Sequence, residues 1–250
     1  MASLTCSAAA SGGIAPLHAE EFTSNGVKIH YVIRGKGEPV LLVHGLTSSV
    51  KVNWEMPGTI AELAKHYQVI AFDNRGHGQS DRPQGEDQYG VQMVEDVVRL
   101  MDHLHITKAH VVGYSLGSMI ALKLLALHPE RVRSAVLGGM GWLKPDSPFQ
   151  HFWEEAKEPR IAKVPAACVR GIAKLAVTED EVKAVRVPAT IIVGERDPCR
   201  RLYVEPLVRV RPDWPEHVVP GAGHMNCVLK PDFKTQLKAA LAQSPLKSAH

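Results

Sequence analysis

The sequence has few cysteines, no concentration of charge and no long hydrophobic run. Its four cysteines among 250 residues are too few and too dispersed for a zinc site, and no His-Glu-x-x-His pattern occurs. The net charge is only +3 and the basic residues are scattered, which argues against nucleic-acid binding. Apolar runs such as Ile191 to Val193 fall far short of the ~20 residues of a membrane-spanning helix. We therefore expect no metal, no nucleic acid and no membrane span.

The amino-acid composition is typical of a globular protein. Hydrophobic residues make up 45% and charged residues 22%, close to the averages of soluble chains, and this length allows one domain with a substantial core. Residues 1–20 are rich in Ala, Ser and Gly and contain no Lys or Arg, so the positive region of a secretory signal is missing. We interpret them as a flexible tail, with a trimmed export signal as the alternative, and this favours the cytoplasm.

Buried apolar runs alternate with helical patterns along most of the chain. Two β-type runs flank Asn25-Gly26, which predicts an opening antiparallel hairpin. The further predicted strands are 39–44, 69–72, 109–113, 133–137, 189–193 and 216–219. The predicted helices are 91–104, 116–127, 202–211 and 233–242. Strands and helices in this order predict an α/β fold, with a mostly parallel central sheet flanked by helices.

One segment breaks this alternation. Residues 142–186 contain no buried-strand run, and we predict that they form a small helical cap inserted into a core made of 21–141 and 187–245. The cap carries four clustered aromatic residues, Trp142, Phe149, Phe152 and Trp153. They either line an apolar substrate pocket or only pack the cap onto the core. A short cap predicts an accessible site for small or extended substrates.

The sharpest local signal is Gly113-Tyr114-Ser115-Leu116-Gly117. It follows a predicted strand and opens a predicted helix, and this strand-turn-helix placement is typical of a Gly-x-Ser-x-Gly turn that lifts the serine oxygen out of the sheet edge. A hydroxyl is a weak nucleophile, so it needs a neighbouring base that is itself held by a third group. Ser115 is thus a candidate nucleophile.

The partners of Ser115 should lie on later loops at the same sheet edge. His224 follows the last predicted strand in a glycine-rich loop, and it is better placed than the other histidines. Asp197 follows the strand 189–193 and is the preferred acid. Glu195 is the nearest rival, and a helix-capping role is the alternative for Asp197. The order Ser, Asp, His is the one expected on this scaffold.

Taken together, these motifs resemble the α/β-hydrolase family, in its serine esterase and lipase-like branch. The resemblance extends from about Phe22 to Ala242 and rests on separated motifs. These are His44-Gly45-Leu46, the segment from Phe72 to Ser80, the serine turn, and the Asp197 and His224 loops. The resemblance implies that the backbone N–H groups of Leu46 and Leu116 form the oxyanion hole, and that the loop from Asp73 to Ser80 is structural.

The function that this resemblance implies is hydrolysis of small carboxylic esters through an acyl-enzyme, with no cofactor. Ser115 would attack the carbonyl, His224 would transfer the proton, and Asp197 would hold the imidazole. A serine at the turn argues against dehalogenase or epoxide chemistry, which uses Asp there. The alternatives are a thioester, C–C bond or other acyl hydrolase on the same triad, and a ligand-binding receptor with a vestigial triad. His44 and Tyr114 join the cap aromatics as candidate pocket residues.

Two cysteines lie close in sequence to the candidate triad. Cys199 is two positions after Asp197, and Cys227 is three positions after His224. Because the two loops must approach each other if the triad forms, a Cys199–Cys227 disulfide is a hypothesis. Such a bond would indicate an oxidising compartment, secreted or periplasmic.

Overall fold

A computed structural model of the chain describes residues 17–156 and 164–243. Most of the predicted N-terminal tail lies outside the described residues. The strands are β1 His18–Ser24, β2 Val27–Arg34, β3 Glu38–Val43, β4 Tyr67–Phe72, β5 Ala109–Tyr114, β6 Val132–Gly138, β7 Ala189–Gly194 and β8 Glu216–Val219. The α-helices are α1 Thr59–Leu63, α2 Val91–His103, α3 Leu116–Leu127, α4 Pro148–Glu154, α5 Ala166–Gly171, α6 Glu179–Ala184, α7 Glu205–Val210 and α8 Pro231–Ala242.

The eight strands form one sheet in the order β1-β2-β4-β3-β5-β6-β7-β8. The first two pairings, β1 with β2 and β2 with β4, are antiparallel, and all the others are parallel. The predicted mostly parallel α/β sheet is therefore confirmed. Because β3 and β5 to β8 run parallel, their carboxyl ends lie at one edge, and the loops after them meet there.

The opening hairpin has the turn that its sequence predicts. Ser24 pairs with Val27, so that only Asn25 and Gly26 lie between the strands. Both have positive φ angles, 48° and 78°, as a two-residue type I′ turn requires. The hairpin extends the sheet on the side of β4, away from the strands whose ends carry the candidate site.

Buried side chains form two hydrophobic cores, because alternate residues of each strand point to opposite faces. Leu41 and Val43 of β3 pack in one core together with residues of α2 and α3. Val40 and Leu42 pack in the other, together with residues of α1 and α8. Side chains of β3, β5 and β7 contribute to both cores, so these central strands read as continuous apolar runs in the sequence.

The loop after β4 is fixed by buried polar contacts. The Asp73 carboxylate accepts the backbone N–H groups of Val50 and Gln79 at 2.8 and 2.9 Å. Arg75 is fully buried and its guanidinium forms a two-contact ion pair with Asp96 of α2, each contact 2.6 Å long. Charges that are buried in this way must be paired. In the structure this loop holds the β3 loop, which carries Val50, in place beside it.

The segment predicted to be a cap contains helices between β6 and β7. The described parts of 142–186 hold α4, α5 and α6 and contain no strand. The N-cap Ser147 accepts the Gln150 N–H, and Thr178 forms a capping box with Glu181, which defines where α4 and α6 begin. The division into core and cap stays a prediction. Within the described residues, none of the helices has the length and apolar content to cross a bilayer.

Candidate active site

Ser115 lies at the tight turn between β5 and α3. Its backbone has φ 55° and ψ −119°, a conformation that side chains rarely adopt and that sets it apart from both strand and helix. The flanking glycines make the turn possible. A Cβ atom on Gly113 would lie 2.2 Å from the Gly117 carbonyl oxygen, and one on Gly117 would lie 2.0 Å from that of Val43. The sequence pattern thus reflects the close approach of three backbone segments.

His224 contacts the serine from the loop after β8. Its Nε2 lies 2.9 Å from the Ser115 hydroxyl oxygen. The Tyr114 hydroxyl donates to the His224 backbone carbonyl, which ties the histidine loop to the end of β5. Met140 Sδ also lies 3.3 Å from the serine oxygen, but a thioether is a weak acceptor, so the imidazole nitrogen is the better partner.

Asp197 holds the other nitrogen of the imidazole. Its Oδ2 lies 2.8 Å from His224 Nδ1, and its Oδ1 accepts the Cys199 backbone N–H at 2.8 Å. The carboxylate is buried, whereas Glu195 is exposed and accepts the Gly221 N–H at 2.8 Å. Of the two acids considered from the sequence, the structure places Asp197 against the histidine. Ser115, His224 and Asp197 form a continuous hydrogen-bonded series.

The acid controls the protonation of the histidine. Burial by itself lowers the pKa of His224, but the hydrogen bonds with Asp197 and Cys199 outweigh burial and raise the pKa to about 10. The hydrogen bond to a carboxylate also fixes the tautomer, with the proton on Nδ1 and the lone pair of Nε2 facing the serine. In its neutral form the ring is therefore oriented to accept the serine proton.

Two backbone N–H groups adjoin the serine. Leu46, after β3, and Leu116, the first residue of α3, both line the same cavity as Ser115. Within the described part of the chain neither N–H donates a hydrogen bond to another group. Because a helix N-terminus carries unpaired N–H groups and favours negative charge, Leu116 has the chemistry of an anion-binding donor.

His44 does not line the cavity, although the sequence analysis offered it as a pocket residue. It is fully buried, with Nδ1 donating to the Gly45 carbonyl at 2.8 Å and Nε2 accepting the Asn74 N–H at 3.0 Å. Burial lowers the pKa of His44, which agrees with a neutral ring whose two nitrogens are both used. The prediction was wrong because this histidine positions the Gly45-Leu46 backbone instead of facing a ligand.

A cavity of about 660 Å³ opens onto Ser115 and His224. Of the predicted pocket residues, the side chains that line it are Tyr114, Phe149, Phe152 and Trp153. Trp142 does not, because its ring is buried and its indole N–H donates to the Val177 carbonyl at 2.6 Å. Trp142 therefore packs the 142–186 segment together, which was the alternative considered for the aromatic cluster.

Much of the cavity wall consists of residues that the sequence analysis did not single out. They come from the β3 loop, α3, the β6 loop and the segments after Asp197 and His224, and they include Val52, Met56, Met119, Met140, Leu202, Tyr203, Met225 and Leu229. Met119 lies one helical turn after Ser115, and Met225 directly follows His224. Closeness in sequence to the triad was the available signal for these two methionines.

The hypothesis of a Cys199–Cys227 disulfide is wrong for this structure, in which both cysteines are free. Cys199 lines the cavity, and its thiol sulfur lies within 4.8 Å of a ring nitrogen of His224. Cys227 is fully buried in the same hydrophobic core as the Tyr114 ring. The two loops do approach each other at the contact between His224 and Asp197, but the two thiols are not bonded.

The comparison with protein families agrees with the geometry. A family model described as the alpha/beta hydrolase fold matches residues 38–168, more than half of the chain. The match ends before Asp197 and His224, so the two loops that complete the series with Ser115 lie outside the matched segment.

Curated relatives match over a similar part of the chain. A putative carbamate hydrolase from Azorhizobium caulinodans is 34% identical over 142 residues, which are 57% of this chain and 52% of the relative. A 2-hydroxymuconate semialdehyde hydrolase from a Pseudomonas species is 39% identical over 122 residues, which are 48% of this chain and 42% of the relative. The chain thus spans about half the length of the curated relatives that it matches.

Solved structures share the fold over nearly the whole chain. The enol-lactonase from Burkholderia xenovorans superimposes with a TM-score of 0.73 at 23% identity, covering 89% of this chain and all of the enzyme. At this identity the likeness shows the fold alone. It includes the region after residue 168 that the family model leaves unmatched.

Proposed function

Because the chain belongs to the α/β-hydrolase fold family, we propose that it is a serine hydrolase that cleaves neutral carboxylic esters through an acyl-enzyme intermediate. The observation that carries this proposal is the unbroken series from Ser115 through His224 to Asp197, with contacts of 2.9 and 2.8 Å. A nucleophile, a base within hydrogen-bond reach and a group that orients the base are the parts that acyl transfer requires.

In the proposed mechanism Ser115 attacks the ester carbonyl while His224 Nε2 takes its proton. Negative charge then develops on the carbonyl oxygen, and the N–H groups of Leu46 and Leu116 stabilise it. His224 returns the proton to the departing alcohol, and Asp197 stabilises the transient imidazolium. Water, activated by the same histidine, releases the acyl group and restores the serine.

The cavity supports a neutral substrate. Among the described residues that line it, none is Lys, Arg, Asp or Glu, and His224 is the one titratable nitrogen base. A substrate with a free carboxylate would lose its hydration there and meet no Lys or Arg side chain, and His224 is neutral in the form that accepts the serine proton. Burying the carboxylate therefore costs several kcal/mol in this apolar site. The cavity volume, about 660 Å³, lies within the range of small-molecule sites.

The mouth of this cavity is also apolar. Eight large hydrophobic side chains are exposed in the described structure, and six of them line the cavity. These six are Val52, Met56, Phe152, Leu202, Met225 and Leu229. Since exposed apolar side chains that gather in one patch mark a binding surface, the substrate is expected to have an apolar chain long enough to reach them.

We expect kcat/KM for p-nitrophenyl esters to rise with acyl length from acetate to octanoate. Each methylene that is buried contributes about 0.8 kcal/mol, or roughly fourfold, as an upper limit per step. The absorbance of the released nitrophenolate, followed in a stopped or a continuous assay, gives kcat/KM for each ester of the series. As a charged control, p-nitrophenyl hemisuccinate should react more slowly than the butyrate, which is similar in size. A preference for the hemisuccinate, or for acetate over all longer esters, would contradict a neutral apolar pocket.

Cleavage of a C–C bond is a second candidate function, because one of the relatives is a 2-hydroxymuconate semialdehyde hydrolase with 39% identity over the aligned part. The same series of residues serves this chemistry, since the triad does not fix the leaving group. The absence of Lys and Arg from the described cavity wall disfavours acidic substrates of this kind. Turnover of a dienoic acid substrate without any turnover of neutral esters would favour the second candidate. No turnover of either the dienoic acid or the neutral esters would favour a ligand-binding receptor.

The pH dependence follows from the state of His224. Its pKa is raised to about 10, above the usual 6.5, and only the neutral ring accepts the serine proton. We therefore expect kcat/KM to fall as the pH decreases and the ring becomes protonated, with a midpoint well above 6.5. The pH profile of kcat/KM tests this prediction, measured with an ester whose alcohol does not ionise in the pH range used. A midpoint at or below 6.5 would contradict it.

A further inference from the structure

Cys199 lies beside the triad and has no role in the proposed reaction. The donor atoms of Asp197, Cys199 and His224 all lie within 4.8 Å of one another. They are a carboxylate oxygen, a thiol sulfur and an imidazole nitrogen, the three kinds of side-chain ligand that Zn²⁺ takes. The sequence analysis predicts no metal site. It misses this cluster because the ligands lie on two loops, with Cys199 and His224 separated by 25 residues in the sequence.

The fold holds these donors together. The Cys199 backbone N–H donates to Asp197 Oδ1 at 2.8 Å, so that the turn after β7 places the thiol beside the carboxylate. His224 Nδ1 lies 2.8 Å from Asp197 Oδ2, and the Cys199 sulfur lies within 4.8 Å of a nitrogen of the same ring. Cys199 and His224 both line the cavity, which provides a path for an ion from solvent.

We propose that Asp197, Cys199 and His224 form an inhibitory site for a thiophilic divalent cation such as Zn²⁺. Metal–ligand bonds of about 2.0–2.3 Å place neighbouring ligand atoms about 3.3–3.7 Å apart around a tetrahedral ion. The His224–Asp197 contact must therefore open slightly, while the thiol moves inward by about 1 Å at most. The cavity side leaves the fourth position to water.

Binding requires two proton losses. The Cys199 thiol and the His224 Nδ1–H each release a proton to solvent, and the carboxylate is already ionised. The metal then takes the place of the proton that Asp197 holds on the ring. A ring that carries a cation on Nδ1 is a weaker base at Nε2, and it is drawn away from Ser115. The inhibition therefore rests on the proposed function, whereas the binding does not.

The test uses Cd²⁺ as a spectroscopic probe and Zn²⁺ as the inhibitor. Every protein carries Cys6→Ser to remove the thiol outside the described residues, and is reduced and exchanged into reductant-free buffer. Cd²⁺ titration of this background should give an ultraviolet cadmium–thiolate band that saturates at one equivalent. The band should be lost in Cys199→Ser and in Cys199→Ala, and it should persist in Cys227→Ser.

Inhibition by Zn²⁺ is measured for each variant relative to its own metal-free rate, and EDTA should reverse it. Losing a direct ligand should weaken inhibition by more than the about 10- to 100-fold that outer-shell partners contribute to metal affinity. The proposal is overturned if the background gives no band, if the band survives both Cys199 variants, or if those variants keep the Zn²⁺ sensitivity of the background. An inactive protein that still gives the Cys199-dependent band would contradict the proposed function and leave the metal site standing.

Discussion

Replacing Ser115 by Ala is expected to lower ester turnover by ~10⁶, equivalent to roughly 8 kcal/mol of transition-state stabilisation. The substitution removes the one oxygen that lies within 2.9 Å of His224 Nε2 at the cavity, so no acyl-enzyme forms. The backbone at this turn keeps its unusual φ, and Ala tolerates it no worse than Ser. The melting temperature should therefore stay close to that of the parent. Initial rates with an excess of p-nitrophenyl butyrate measure the loss.

Ser118→Ala is the matched control for this change. Ser118 lies in the first turn of α3, three residues after Ser115, and its hydroxyl donates to the carbonyl oxygens of Gly113 and Gly138 at 2.9 and 2.8 Å. Losing these buried hydrogen bonds should cost about 1–3 kcal/mol of stability, with a far smaller loss of turnover than Ser115→Ala. Equal losses of activity in the two variants would mean that activity depends on the shape of this turn and not on Ser115 as a nucleophile.

Asp197→Asn is expected to lower turnover by ~10⁴, roughly 5.5 kcal/mol. Asn has one acceptor oxygen, and the Cys199 N–H already donates to that side of the Asp197 carboxylate, so the Asn NH2 group faces His224 Nδ1 as a donor. The ring therefore turns to the wrong tautomer, and its cationic form loses a buried counter-charge. The same change should move the midpoint of the pH profile downward, because the hydrogen bond to the carboxylate is the largest single contribution that raises the pKa of His224. Steady-state kinetics across pH separate the two effects.

Glu195→Gln provides the comparison for the acid. Glu195 lies on the same loop, is exposed, and accepts the Gly221 N–H, a bond that the Gln side-chain oxygen can also accept. Its replacement should change turnover by less than about tenfold, since surface substitutions of this kind have small effects. If Asp197→Asn were active and Glu195→Gln inactive, the acid would have been assigned to the wrong residue.

Features that depend on neighbouring residues were predictable from the sequence. The turn at Asn25-Gly26 follows from two residues that accept positive φ, and the Gly113-to-Gly117 pattern follows from a backbone crossing with no room for a Cβ atom. The helix predicted over 116–127 has the bounds of α3, and the strand predicted over 216–219 has those of β8. Each of these signals is short in range and belongs to one segment.

Features set by distant packing were not predictable. His44 adjoins the cavity loop in sequence, but the backbone N–H of Asn74, 30 residues later, donates to His44 Nε2 and holds the ring in the interior. The predicted helix over 202–211 begins as a π-helical turn, Arg200–Val204, before α7. The sequence patterns predict neither the short helix α1 nor the π-helical turn Lys51–Glu55.

Covalent trapping is the most direct test of the central claim. The protein is incubated with a fluorophosphonate, and the intact mass and the labelled peptide are determined by mass spectrometry. A serine nucleophile activated by His224 predicts one adduct per chain, on Ser115, and no adduct in Ser115→Ala or in His224→Ala. Ester turnover in a protein that takes no label, or a label on any residue other than Ser115, would contradict the account.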